Sequence, residues 1–262
     1  MEYINDIGFE FLIGGVIMEI TIVGCWGGYP KANEASSGYL LEHDGFRLLI
    51  DCGSGVLSKL QNLIKPSELD GVILSHYHAD HIADIGVLQH ARLIQGIILG
   101  EPLPCLPIYG HTLNKQEFPK LTFKEITKGI GYQSNETLTV GPFNIRFFQT
   151  EHPVPCFAMR IQTGEKVVVY TADTSFKDEL IGFSQGADLL LCECNLYGDL
   201  NGKTAGHMTS IDAGTLADRA NVKQLVLTHL PHFGNLNQLV SEASQFYLGS
   251  IHLAAQDMAI KI

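Results

Sequence analysis

Basic residues are scarce in this chain: seventeen Lys and Arg stand against twenty-eight Asp and Glu, a net charge of −11. Proteins that neutralise many phosphates are basic or carry a basic stripe, so a large structured RNA is not an expected partner. Lys115, Lys120, Lys124 and Lys128 form the one lysine-rich stretch, which reads as a solvated surface. Long apolar runs are also missing. With none of about eighteen residues, no membrane span is expected. The N-terminus opens with acidic Glu2 and Asp6 and lacks the basic start of a secretory signal. Nor do the six cysteines make a disulfide framework, since Cys25, Cys52, Cys105 and Cys156 are scattered and Cys192-x-Cys194 would sit on one face of a strand. A reduced, cytoplasmic protein is the expectation. No Pro/Ser-rich linker divides the 262 residues, so a single domain is expected over 18–262. Gly14-Gly15 just before Met18 could be an untranslated ribosome-binding purine run read in frame. Met18 is thus the expected natural start, with residues 1–17 an extension upstream of it.

What the chain does contain is a concentration of ligand chemistry. His76, His78, Asp80 and His81 lie within six residues, directly after the short apolar run Gly71-Val72-Ile73-Leu74. That run suits a strand buried on both faces. His-x-His lets two imidazoles converge on one ion, while Asp-His immediately after can turn into a helix and face a second. Imidazole and carboxylate together are a ligand set for zinc, and also suit manganese or iron. Two ions need more ligands than this segment holds, and three further apolar runs end in one each. Phe143 to Thr150 leads to His152, Lys166 to Tyr170 leads to Asp173, and Gln224 to Leu227 leads to His229. A single His or Asp after a strand is usually a cap or loop residue. Agreement among four strand ends is what carries the inference.

This order resembles the metallo-β-lactamase superfamily, whose pattern is His-x-His-x-Asp-His, then a lone His, a lone Asp and a final His. The resemblance covers nearly everything from Met18 to Ile262 and implies an α+β fold, a four-layer αββα sandwich of two similar halves. It also implies that His76, His78 and His152 hold one metal ion, that Asp80, His81 and His229 hold a second, and that Asp173 bridges them. His78 argues against the di-iron oxygen-reducing branch, and Asp173 in place of Cys argues against the common zinc β-lactamases. Asp51, at the end of the run from Phe46 to Ile50, would support a ligand histidine from behind. Capping a helix from about Val56 is the alternative for Asp51.

A narrower resemblance points to ribonuclease Z and related phosphodiesterases. Gly206-His207-Met208-Thr209-Ser210 is similar to their His-Ser/Thr stretch, and Leu191-Cys192-Glu193-Cys194 sits where they carry His-Glu-Ala-Thr. The implied roles make His207 a leaving-group acid or phosphate-oxyanion stabiliser, oriented by Glu193, with Asp80 steering the nucleophile as well as binding metal. Against the tRNA-processing members, only twenty residues separate His152 from Asp173, too few for their tRNA-gripping arm. Gly27-Gly28-Tyr29-Pro30-Lys31-Ala32-Asn33 matches their Pro-x-Lys-x-Arg-Asn loop only in part. His232, three residues after His229, reads as a loop histidine.

The expected function is metal-dependent hydrolysis by a hydroxide bridging two divalent ions, zinc or manganese, on small or nucleotide phosphodiesters. Carboxylic esters, thioesters or lactones are the alternative on the same site, and ribonuclease Z-type tRNA cleavage a further one. A homodimer is a family-level expectation. Strands are expected near 18–24, 37–50, 71–75, 143–149, 157–162, 166–172, 188–193, 223–228 and 251–254, with the three from 143, 157 and 166 pairing as a meander. Helices are expected near 56–65, 81–95, 211–220 and 235–247.

Overall fold

The computed structural model describes residues 17–100 and 102–262; residues 1–16, and with them Gly14-Gly15 and all of the expected extension but Ile17, lie outside the described residues. Seven strands make the first sheet: β1 (Glu19–Gly24), β2 (Gly38–His43), β3 (Phe46–Ile50), β4 (Gly71–Ile73), β5 (Leu106–His111), β6 (Thr127–Tyr132) and the late β14 (Ala259–Lys261). Their order is β14-β1-β2-β3-β4-β5-β6. Seven more make the second: β7 (Leu138–Val140), β8 (Phe143–Gln149), β9 (Phe157–Thr163), β10 (Lys166–Tyr170), β11 (Leu189–Glu193), β12 (Gln224–Thr228) and β13 (Ser250–Leu253). These run in order β13-β12-β11-β10-β9-β8-β7. Helices α1 (Val56–Leu60), α2 (Ala79–Ile82) and α3 (Ile85–Leu99) belong to the first half, and α4 (Glu179–Ser184), α5 (Gly202–Ala205), α6 (Ser210–Arg219) and α7 (Leu236–Ala243) to the second.

The two sheets face each other across one core, and helices cover the outer faces. Period-2 alternation explains the sorting. In β3, Leu48 and Ile50 point into the core between the sheets, where they meet Phe143 and Ile161 of the second sheet. Leu49 points the other way, to Val56 and Leu60 of α1 and Leu88 of α3. Strands covered on both faces read as continuous apolar runs, which is why Leu48-Leu49-Ile50 and Val167-Val168-Val169 carry no polar alternation. Each such side chain contributes roughly 1.5–3 kcal/mol on burial. The αββα sandwich is the expected fold.

Parallel pairing decides where chemistry can sit. β3, β4, β5 and β6 are parallel neighbours, as are β10, β11, β12 and β13. Their carboxyl ends therefore open on one edge of the sandwich, the usual place for a site in an α/β sheet. Two hydroxyls bridge the sheets beneath that edge: Tyr39 meets Thr228 at 2.8 Å and Tyr170 donates to Asp51 at 2.9 Å.

Several elements differ from the sequence expectation. The run 37–50 is a hairpin, β2 and β3, because Asp44 (φ 50°) and Gly45 (φ 76°) take the left-handed conformation of a tight turn. The expected helix 81–95 is two helices, with Asp84 at the break, where its carboxylate accepts the Leu57 N–H at 2.9 Å. The stretch 79–99 has the apolar composition of a membrane span. However, α3 has only 15 residues and α2 carries two ligand-type side chains, Asp80 and His81. Helix 56–65 stops at Leu60 and helix 235–247 at Ala243. Strands β5, β6, β7 and β14 and helices α4 and α5 were not expected; Pro107, Gly110, Gly129 and Gly131 dilute the β pattern of β5 and β6. The meander of β8, β9 and β10 is present, antiparallel throughout.

Candidate metal centre

Four loops at the carboxyl edge deliver the seven expected ligands to one place. β4 runs through Ser75 into His76 and His78, and α2 then presents Asp80 and His81. His152 follows β8, Asp173 follows β10 and His229 follows β12. At two of these ends the backbone is strained, with Ala172 at φ 50° and His229 at φ 52°. Positive φ on non-glycine residues costs energy and clusters where function fixes geometry. His76, His78, His152 and Asp173 place their ligand atoms within 4.8 Å of one another, and so do Asp80, His81, Asp173 and His229. Asp173 belongs to both groups, the bridging position.

The donor chemistry fits divalent cations. His152 Nδ1 lies 3.0 Å from the Gly206 carbonyl, which can only accept, so the ring proton is on Nδ1 and Nε2 carries a lone pair. Ser75 Oγ spends its hydrogen on Asp51 at 2.8 Å, so it accepts from His76 Nδ1 at 3.0 Å and leaves His76 Nε2 a lone pair too. Both lone pairs face His78 Nδ1, each at 3.1 Å. Two imidazole lone pairs converging on the ring nitrogen of a third histidine have the chemistry to hold a cation. In the second group, His81 Nδ1 donates to Asp51 at 2.8 Å, and its buried Nε2 has no hydrogen-bond partner; neither has Asp173 Oδ1. His81 Nε2 sits 3.4 Å from both Asp80 Oδ2 and Asp173 Oδ2, and His229 Nε2 lies 3.1 Å from Asp80 Oδ2.

The charge environment divides between the groups: burial opposes a proton on His81, yet Asp173 and Asp51 outweigh it and lift that imidazole well above its ordinary range, so a cation there would displace a proton. Burial, reinforced by the neighbouring His81, pushes His76 well below the ordinary imidazole range, and burial with His152 lowers His78. Both are thereby kept neutral, as ligation requires. Burial opposes the charge on Asp173, yet His229, His81 and His76 outweigh it and hold the carboxyl well below its usual range. Asp80 is likewise held down against burial by hydrogen bonds from His229 and His81.

Asp51 is the hub beneath the ligands. Fully buried, it accepts from Ser75 N–H (2.7 Å), Ser75 Oγ (2.8 Å), His81 Nδ1 (2.8 Å) and Tyr170 OH (2.9 Å). It supports His81 directly and does not cap α1.

Glu193, at the end of β11, is fully buried and lies 3.0 Å from His207 Nδ1. His207 in turn stacks on His229, centroids 5.2 Å apart at 21°, and sits 5.3 Å from the His152 ring. Burial disfavours the His207 proton, but the Glu193 carboxylate outweighs it and lifts the imidazole to about 9. Capping is not its role, since Thr209 caps α6 in a reciprocal box with Asp212.

Two features escaped the sequence. Asn195 donates to the His229 carbonyl at 3.0 Å and stands 3.4 Å from its Nδ1, locking the last ligand; an Asn two residues past a strand gives no periodic signal. His232 lies in a loop as expected, but the loop stacks it on Tyr29. All six cysteines are free thiols, and Lys115, Lys120, Lys124 and Lys128 are exposed.

Known proteins resemble this chain. The family described as Beta-lactamase superfamily domain matches residues 46–230. A probable metallo-hydrolase, YhfI, of Bacillus subtilis (strain 168) is 53% identical over 237 residues, spanning 90% of this chain and 97% of that protein. The crystal structure of the metallo-beta-lactamase fold protein YhfI from Bacillus subtilis superposes with a TM-score of 0.92 at 51% identity, covering 94% of this chain and 100% of that one. A ribonuclease Z of Clostridium kluyveri is 24% identical over 269 residues, covering 81% of this chain and 88% of its own length. By that family match and that identity, this chain belongs to the metallo-β-lactamase superfamily as one of its metallo-hydrolases.

Proposed function

We propose that the protein is a phosphodiesterase with two divalent ions, zinc or manganese, acting on small or nucleotide phosphodiesters. The observation that carries this reading is the Glu193–His207 pair at 3.0 Å beside the ligand cluster. When bound, the ions supply Lewis-acid charge and a water acidified towards ~7. The chain's own groups supply the rest. His76, His78, His152 and Asp173 would hold one ion, and Asp80, His81, His229 and Asp173 the other. Gly28 N–H donates to Asp80 Oδ2 at 2.7 Å, fixing that carboxylate toward the nucleophile's position. Glu193 accepts the Nδ1–H of His207 and favours the imidazolium, whose Nε2–H would protonate the departing alkoxide oxygen. An ester or lactone also expels an alkoxide, so the acid serves either class, and the preference for phosphodiesters is supported by the likeness to ribonuclease Z.

Size and charge support a small substrate. Between His152 and Asp173 the chain forms only the hairpin of β9 and β10, and its net charge is −11. The relative from Clostridium kluyveri bears the name ribonuclease Z, which supports phosphodiester chemistry, while the short hairpin separates this chain from tRNA. The test is a panel assay of metal-loaded protein on bis-p-nitrophenyl phosphate, cyclic nucleotides, a lactone, a thioester and precursor tRNA. Turnover of the small phosphodiesters above all others is expected. Preference for the lactone or thioester, unaffected by His207→Ala, would overturn the proposal.

A further inference from the structure

The loop joining β1 to β2 lies against the metal cluster. A methyl group on Gly27 would come 2.7 Å from His229 Nδ1 and 2.4 Å from Asn195 Nδ2, so the backbone touches the ligand shell there. Gly28 N–H reaches Asp80. The next residue, Tyr29, is thereby carried at the rim of the site, and its side chain is 60% exposed.

This exposed ring is nevertheless fixed. It lies flat on His232, centroids 3.7 Å apart at 4°. His232 Nε2 is 2.8 Å from the Tyr29 carbonyl and 3.0 Å from the Gly27 carbonyl, so its N–H ties the histidine to both sides of the loop. Behind His232 stands Trp26, 5.3 Å away at 30°, itself covered by the Lys31 ammonium at 3.7 Å and hydrogen-bonded through Nε1 to Glu34. Both rings stack on His232, Trp26 buried and Tyr29 largely exposed. Core packing alone would bury the outer ring. A flat, immobilised, solvent-facing aromatic next to the reacting centre is the surface on which another π-face stacks.

We infer that Tyr29, braced by His232 and Trp26, is the platform on which the nucleobase of a nucleotide substrate stacks while its phosphodiester lies at the metal cluster. This deepens the phosphodiesterase reading and rests on it. A ring held in place before binding loses little entropy on contact, so the platform adds affinity without a conformational step. Because every base has a π-face, the platform selects for a base without strongly choosing which one.

Calorimetric titration of the zinc-loaded protein with adenosine 5′-monophosphate and with ribose 5-phosphate tests this, because the two ligands share a phosphate and differ by the base. The wild type is expected to prefer the nucleotide by roughly ten-fold, the order that stacking on an aromatic side chain confers. Tyr29→Ala brings the ratio near one, and Tyr29→Phe keeps it, with zinc content equal in all three proteins. A wild-type ratio near one, or a preference that survives Tyr29→Ala, overturns the platform and leaves the phosphodiesterase reading standing. If neither ligand binds and no phosphodiester is turned over, both fall together.

Discussion

Glu193 Oε1 and His207 Nδ1 meet at 3.0 Å, with the carboxylate fully buried and the imidazole stacked on His229 of the His/Asp cluster. The carboxylate also accepts the Thr174 N–H at 2.6 Å, so it is anchored independently of the histidine it orients. This fixes which nitrogen of His207 can deliver a proton. His207→Ala should therefore cost about 10²-fold in kcat on a phosphodiester with an alkoxide leaving group. A p-nitrophenolate leaving group needs no proton, and the loss there should be much smaller. Glu193→Gln should fall between wild type and His207→Ala on the alkoxide substrate. Steady-state kinetics on the two substrates checks both, and equal losses on them would remove His207 from the acid role.

Asp51 collects four donors from Ser75, His81 and Tyr170 in a site without water access. Asp51→Ala leaves those donors unpaired and frees the His81 ring. A loss of about 3 kcal/mol in stability is expected by urea denaturation, together with metal affinity weaker by about ten- to a hundred-fold in competition with a chelator.

Gly27 is confined between His229 and Asn195. Gly27→Ala puts a methyl group where the His229 ring now stands. The ring or the loop must move, and metal affinity should drop at least about ten-fold while the fold, read by far-UV circular dichroism, is retained.

His111 gives the protein a pH dependence separate from the metal centre. Its Nδ1 accepts the Leu113 N–H at 3.3 Å, and its ring is enclosed by Tyr77, Tyr132 and Phe157. Burial lowers it from the ordinary 6.5 to about 4. The unfolded chain thus takes up a proton near pH 6.5 that the folded chain refuses until about pH 4. Stability is full above 6.5 and is lost as pH falls through that window. Urea midpoints measured across it should fall less steeply in His111→Phe than in the wild type.

The clustering of the seven candidate ligands was legible because the runs before them have strong β pattern, and a strand end at the carboxyl edge of a parallel sheet is where a site forms. The paired Glu193 and His207 were legible only by resemblance, since fourteen residues separate them and the connection leaving β11 must fold back on itself, Leu196 N–H meeting the Met208 carbonyl, to bring them together. Other parts were hidden for physical reasons. β5 and β6 carry glycine and proline that weaken β propensity, yet neighbouring strands supply their hydrogen bonds. Asp84 breaks an otherwise apolar helical run by turning to the Leu57 N–H, a partner 27 residues away in sequence. Tyr29 and His232 are separated by 203 residues and share no periodicity, so their stack belongs to tertiary structure alone.

Metal stoichiometry bears most directly on the dinuclear site. Protein saturated with zinc and freed of excess by gel filtration should carry two ions per chain by elemental analysis, and His152→Ala should carry fewer. One ion or less per chain in the wild type would contradict the assignment of Asp173 as a bridge between two metal positions.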